Sequence, residues 1–374
     1  MLKQKDVKYI VLSDIHLGHN KNPTSNIVDN LRAFFVKHNK LIKKLDFIFI
    51  AGDIFDRLLP NHSDDFILAI TWLKEVMFLC RQYDIALRIL EGTPGHDWKQ
   101  GKVLDRALDK LNHNIDYKYI DDLYIEQNSK TGLSILYLPD EYKHSGKETF
   151  KEILKLLAAN ELEQVDIVIM HGQFHYQLPM IVLESSHTEA DFLSIAKHYI
   201  HPGHIHTPSV YDRIIPQGSF DRLTHNEEEH KGCVYANIAM NGKREFLFLR
   251  NENAMIFKTL RFKGKALNEI MTKLNTLLPE LPDFSNVRLI VEGDDMLIKN
   301  LKDVQNNFLN LDIKIVREKI EDDKIKLLAS NEIESFEINR SNIKTLLFNE
   351  LTKHNLTKKE LSVADKELES ILAL

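Results

Sequence analysis

Five short segments of this chain set an Asp or a His directly after a stretch patterned as a β-strand. They are Asp14-Ile15-His16, Gly52-Asp53-Ile54-Phe55-Asp56, Gly95-His96-Asp97, His171-Gly172 and Gly203-His204-Ile205-His206. The strands expected before them are Val7–Leu12, Phe47–Ala51, Ala86–Leu90, residues 165–170 and a shorter piece at 199–200. Strand ends on one edge of a sheet lie together in space, so residues remote in sequence can converge there on one crevice. Asp and His are hard-to-borderline ligands suited to Mn, Fe or Zn. Six such side chains exceed the needs of one tetrahedral ion and suit a pair sharing a carboxylate. On an extended segment, residues i and i+2 point the same way, so Asp14 with His16, and His204 with His206, are each expected to face the crevice. A lone D-x-H arises easily by chance; five segments in this order, each after a strand, do not.

The order D-x-H, G-D-x-x-D, G-x-H-D, H-G, G-H-x-H resembles the calcineurin-like metallophosphoesterase superfamily over residues 7–250. Its details are similar to the SbcD-type nucleases of double-strand-break repair. Asp14 to Gly18 follows that branch's D-x-H-L-G form, and Gly52 to Asp56 its G-D-[LI]-F-D form. Pro216 to Ser219, the acidic run Glu227-Glu228-Glu229 and Lys231-Gly232 resemble the stretch that follows its fifth motif. The resemblance implies a fold of two mixed β-sheets packed as a sandwich and flanked by helices. It places Asp14, His16 and His206 on a first ion and His171 and His204 on a second, with Asp53 bridging. It makes His96 the acid that contacts phosphate and protonates the leaving oxygen, with Asp56 orienting and charging it. Two divalent ions, Mn foremost with Mg, Fe or Zn as alternatives, would activate a water for in-line attack on a phosphodiester. The substrate implied is DNA.

One motif departs from the family, which writes G-N-H-[DE] and binds its second ion through the Asn. Here the stretch is Gly92-Thr93-Pro94-Gly95-His96-Asp97, a form that resembles phage-encoded members. Gly95 stands where the amide is expected and offers no side chain. Thr93 or a water is left to fill the position, and weaker binding of the second ion follows. Arg57, Thr93, Gly95 and Asp97 are the candidates for a further substrate or metal contact. Arg57 suits a phosphate oxygen and equally a solvated loop.

The 374-residue length suits two domains and an appendage. The two cysteines, Cys80 and Cys233, lie far apart in apolar runs and read as buried thiols of a reducing compartment. No apolar run approaches a membrane span, and the polar first residues lead straight into a strand. A cytoplasmic protein is expected, in the bacterial cytoplasm for a phage-encoded member. The net charge of −6 does not advertise a DNA binder, but a carboxylate-rich metal site accounts for part of it.

Residues 1–251 read as the nuclease domain. Helices are expected over 26–45, with Ser25 as N-cap, over 64–83, and over 147–159. The 64–83 helix is apolar on more than one side, and the family resemblance implies a homodimer formed near it. Hairpins are expected across Lys130-Thr131-Gly132 and across Asn241-Gly242. Residues 252–320 follow a β-α-β-α-β rhythm without clustered ligand residues and resemble the family's capping domain. Residues 321–374 read as a linker and two short amphipathic helices, the last opened by the capping box Thr357-Lys358-Lys359-Glu360. Such stripes fold back on the body or dock on a partner; the resemblance implies an SbcC-type, SMC-like ATPase. The chain itself has no G-x-x-x-x-G-K-[ST] phosphate loop. Three functions remain: a nuclease subunit, another phosphoesterase of the superfamily, and a non-catalytic scaffold for the ATPase.

Overall fold

The computed structural model describes residues 5–105, 115–178, 186–263, 265–292, 298–301 and 306–317. The chain divides into two compact units, Met1–Arg317 and Glu318–Leu374. The second, with the expected linker, amphipathic helices and ATPase-docking stripe, lies outside the described residues.

Alternation of side chains along the strands builds the first unit. Strands β1 (Val7–Leu12), β2 (Phe47–Ala51), β3 (Ala86–Leu90) and β4 (Tyr117–Ile120) run parallel side by side, and β9 (Gly232–Ile238) and β10 (Arg244–Arg250) add antiparallel at the β1 edge. A second sheet has the order β5 (Tyr124–Gln127), β6 (Ser134–Leu138), β7 (Val165–His171), β8 (Ala196–Gly203), antiparallel at its first pair and parallel thereafter. Tyr9, Val11, Phe47 and Phe49 point inward and bury against Tyr137, Ile167 and Ile169 of the second sheet. Their neighbours in sequence, Ile10, Leu12, Ile48 and Ile50, point outward beneath the helices Thr24–Lys37 and Asp64–Tyr83. On the far side, Leu136, Leu138, Val168 and Met170 bury under the helices Gly146–Ala159 and Glu189–Ile195. This is the mixed two-sheet sandwich flanked by helices, a metallophosphoesterase-like fold. Each fully buried Phe or Ile contributes about 1.5–3 kcal/mol of transfer free energy.

Between the sheets a charged pair is buried. Arg88 on β3 forks onto Glu126 of β5, Nε to Oε2 at 2.8 Å and Nη2 to Oε1 at 2.7 Å. Tyr137 and Asn128 also donate to that carboxylate.

Three details differ from the sequence expectation. The helix expected over 26–45 is interrupted at His38 and resumes as a single turn, Asn39–Ile42. Its N-cap is Pro23 rather than Ser25, and the Thr24 hydroxyl accepts the Gly18 N–H instead of capping. The fifth strand is much longer than residues 199–200. Lys197 and His198 disguise it, because β8 is the edge of its sheet and tolerates polar residues.

A three-stranded parallel sheet, β11 (Phe257–Phe262), β12 (Asn286–Val291) and β13 (Asp312–Arg317), follows with its own core. Leu260, Phe262, Val287 and Leu289 pack there against Ile270 and Leu274 of the helix Leu267–Leu277. Of the second helix in the β-α-β-α-β rhythm, residues 298–301 and 306–307 are described as helical and the intervening 302–305 are not described.

Candidate metal centre

The parallel strands β1, β2, β3, β7 and β8 all end on the same side of the sandwich, and their loops carry the five motifs. The loops after β1 and β2 continue as neighbours beyond the sheet. Ile15 and His16 N–H groups both donate to Asp53 O at 2.8 and 3.1 Å, Leu17 N donates to Ile54 O, and Asp56 N returns to Leu17 O. Asp14, His16, Asp53 and His204 adopt left-handed backbone, with φ of 49°, 53°, 51° and 99°. Such residues cost about 1–3 kcal/mol each and cluster where function over-determines the backbone. The extended-segment expectation therefore fails for Asp14 and His16: the curl of the loop aims them, not the pleat. Glycines make room for His171. A Cβ on Gly52 would stand 2.2 Å from its Nδ1, and one on Gly203 would stand 2.7 Å away.

Three overlapping groups of ligand atoms result. Asp14, His16 and His206 form one; His16, Asp53 and His96 a second; Asp53, His171 and His204 a third. His204 and His206, expected to face one crevice together, are divided between the outer two. All six expected metal ligands, and His96, thus fall within the linked groups.

The hydrogen bonds behind these rings suit cations. His171 Nδ1 donates to Ala51 O at 2.7 Å, leaving the Nε2 lone pair for the centre, 3.3 Å from Asp53 Oδ2. His206 Nδ1 donates to Glu227 Oε1 at 3.0 Å. His16 Nδ1 is buried without a hydrogen bond and faces Asp56 Oδ1 at 3.4 Å, which draws the ring proton to that side. The Nε2 atoms of His16 and His206 then meet at 3.1 Å. In the neutral tautomers these partners favour, two lone pairs face each other, an arrangement a shared cation relieves. The residues present fit a divalent ion.

Glu227 is itself held. Lys231, fully buried, donates to Glu227 Oε2, to Glu229 Oε1 and to the His206 carbonyl at 3.0, 2.7 and 2.9 Å. Burial opposes the charge on Glu227, but His206 and Lys231 bring its carboxyl down to about 2. Burial likewise opposes the charge on Asp53, and His171, His96 and His16 outweigh it, keeping that carboxyl well below the usual range.

Two expected assignments change. His96 Nδ1 meets Asp53 Oδ2 at 2.9 Å, so Asp53 orients it; the Asp56 carboxylate lies against His16 instead. The Asp53 contact raises the His96 pKa against the pull of burial. Asp97 is not aimed at the cluster. Its carboxylate accepts the backbone N–H groups of Asp53, Gly92 and Phe55 at 3.0, 2.8 and 2.9 Å. Arg57 is exposed and its guanidinium is paired with Asn20.

Gly95 does not occupy the amide's place. A Cβ built there meets nothing within 4 Å, so a side chain would project into open space. Thr93 stands in the cluster instead. Its Oγ1 is 3.3 Å from Asp53 Oδ2 and 3.4 Å from both His171 Nε2 and His204 Nδ1. Asp140, which the motif reading missed, completes the ring, with Oδ2 at 3.3 Å from Thr93 Oγ1 and 3.6 Å from His204 Nδ1. The signal was present, since Asp140 follows β6 as the motif residues follow their strands.

A cavity of about 400 Å³ adjoins the cluster, lined in part by Asp140, Tyr142, Lys143, Gln173, His187 and His204. His187 therefore lies beside the cluster in space. His201 turns inward from β8 onto Tyr9, and His198 faces Asp166 at 3.7 Å.

No family model matches the chain. Among curated proteins it is similar to the DNA double-strand break repair protein Mre11 of Archaeoglobus fulgidus, 24% identical over 223 residues, which is 55% of this chain and 47% of that protein. The chain thus spans about half the length of this curated relative. Solved structures that match include one at 11% identity and TM-score 0.39, covering 65% of this chain and 99% of that one. Another is GAP50, the anchor in the inner membrane complex of Plasmodium, at 13% identity and TM-score 0.38, covering 67% of this chain and 86% of that one. The likeness to Mre11 and the fold support the superfamily to which the motifs point. Among the described residues no helix is long and apolar enough to cross a membrane.

Proposed function

We propose that this protein is a metal-dependent DNA nuclease subunit that hydrolyses phosphodiester bonds at DNA ends, in repair and recombination. One observation carries the reading. Asp53 belongs both to the group with His171 and His204 and to the group with His16 and His96, so one carboxylate links two potential cation positions. Asp14, His16 and His206 would hold the first ion and His171 and His204 the second, with Asp53 between them. When bound, the ions supply Lewis acidity toward phosphoryl oxygens and acidify a water.

The protein's own groups do the rest. Glu227 and the Ala51 carbonyl fix two imidazole tautomers from behind. His96, 38% exposed at its side chain, is an imidazole that a substrate can reach. The contact with Asp53 raises its pKa, the direction that favours the protonated form an acid for the departing oxygen needs. The role of Asp56 in this reading is to steer His16.

The family resemblance and the amphipathic stripes after residue 320 support an SbcC-type ATPase partner, a capping role for residues 252–320, a homodimer, Mn as the ion and action in the cytoplasm. The test assays labelled duplex DNA beside a small chromogenic phosphodiester and a phosphomonoester, with Mn. Cleavage of DNA that is lost in His96→Ala is the expected result. Hydrolysis confined to the phosphomonoester would instead favour another phosphoesterase of the superfamily. A faint nuclease signal unchanged by His96→Ala would favour the scaffold reading.

A further inference from the structure

We propose that Asp140 and Thr93 are ligands of the second cation and together replace the amide that the third motif lacks. The inference rests on the two-cation reading above. It starts from a mismatch in hydrogen-bonding capacity. Thr93 Oγ1 lies 3.3–3.4 Å from four groups, Asp53 Oδ2, Asp140 Oδ2, His171 Nε2 and His204 Nδ1. Two are carboxylate oxygens, and in the neutral form that a cation binds, His171 presents a lone pair at Nε2 because Nδ1–H donates to Ala51 O. A hydroxyl has one proton to give. It satisfies one of these acceptors, at distances near the long limit of a hydrogen bond; His96 Nδ1 serves Asp53 Oδ2, and the remaining lone pairs are left facing one another. A cation satisfies all of them at once.

The topology places Asp140 there for the same reason as the other ligands. β6 is the parallel neighbour of β7, and Asp140 follows β6 as His171 closes β7. The carboxylate is the harder ligand and adds a full charge, so the second position carries Asp53 and Asp140 where the usual motif supplies one carboxylate and a neutral amide. Oxygen-rich, doubly anionic surroundings favour Mn or Mg over Zn. The weak second site that the absent amide suggests is therefore not the expectation for this chain.

Isothermal titration with Mn and the electron paramagnetic resonance of bound Mn measure this directly on the full chain. Wild type is expected to bind two ions with the exchange coupling of a close pair. Asp140→Asn should keep the first affinity, weaken the second at least about tenfold, and lose the coupled signal. Thr93→Val should weaken the same ion, and Thr93→Asn added to Asp140→Asn should restore it. Melting without metal checks that each variant folds; should Asp140→Asn fail to fold, Thr93→Val decides. Two coupled ions at wild-type affinity in Asp140→Asn and Thr93→Val would overturn this assignment and leave the two-cation reading standing. Absence of any Mn binding by wild type would overturn that reading itself.

Discussion

Asp97 Oδ2 accepts the backbone N–H of Asp53 at 3.0 Å, so a carboxylate that faces no ligand position holds the main chain of the central one. The same oxygen takes Gly92 N–H, and Oδ1 takes Phe55 N–H. Asp97 therefore joins the loops after β2 and β3. In Asp97→Ala three buried donors lose their acceptor. Urea denaturation is expected to show a loss of at least about 1–3 kcal/mol, accompanied by weaker Mn binding. Unchanged stability would refute this role.

On the two-cation reading, Glu227 would act on the first ion through His206, whose Nδ1–H it accepts at 3.0 Å. Glu227→Gln should weaken the first Mn ion by about 10–100-fold while leaving the second nearly unchanged. Titration calorimetry resolves the two. A uniform loss at both positions would mean that the residue supports the fold rather than one imidazole.

The Arg88–Glu126 fork sits between the sheets with both side chains almost fully buried, 2% and 5% exposed. Arg88→Met should cost about 3–5 kcal/mol, because it strands a carboxylate in the interior. Arg88→Met with Glu126→Met should recover much of that loss. Chemical denaturation of the two single variants and the double variant gives the coupling.

Acid stability should depend on His201. Burial lowers its pKa to about 4. Its neutral ring uses both nitrogens, Nδ1 donating to Ile215 O and Nε2 accepting from Tyr9 Oη. The folded value lies below the unfolded value near 6.5, so the unfolded chain takes up the proton first. The stability involved is whole above pH 6.5 and is lost as pH falls toward 4, by about 3 kcal/mol. His187, also lowered to about 4 by burial, adds a slope of the same sign. His201→Phe should flatten the fall in denaturation free energy between pH 6.5 and 4.5; an unaltered slope would exclude His201 as its source.

The continuous apolar runs of β1 and β2 and the helical stripes were legible in the sequence, because burial on both faces of a sheet leaves a strong apolar pattern. The six candidate ligands were legible because their order follows the strand ends. What escaped detection was decided by distance in three dimensions. Thr93 and Gly95 both lie in the altered motif, and only the path of the loop shows which enters the cluster. Glu227 looked like part of an acidic run until His206 and Lys231 closed on it. Asp140 stood alone, without a partner at i+2. His96 lies nearer to Asp53 than to Asp56, a choice between two carboxylates that spacing does not make.

The stitching of the loops after β1 and β2, with Leu17 and Phe55 as bridged neighbours, has a consequence for metal exchange. On the two-cation reading, the main chain rather than the guests would set the separation of the two coordination posts. Larger and smaller divalent ions should meet the same cage, and swapping one for another should alter turnover through their charge density and ligand-exchange speed while the span between them stays put.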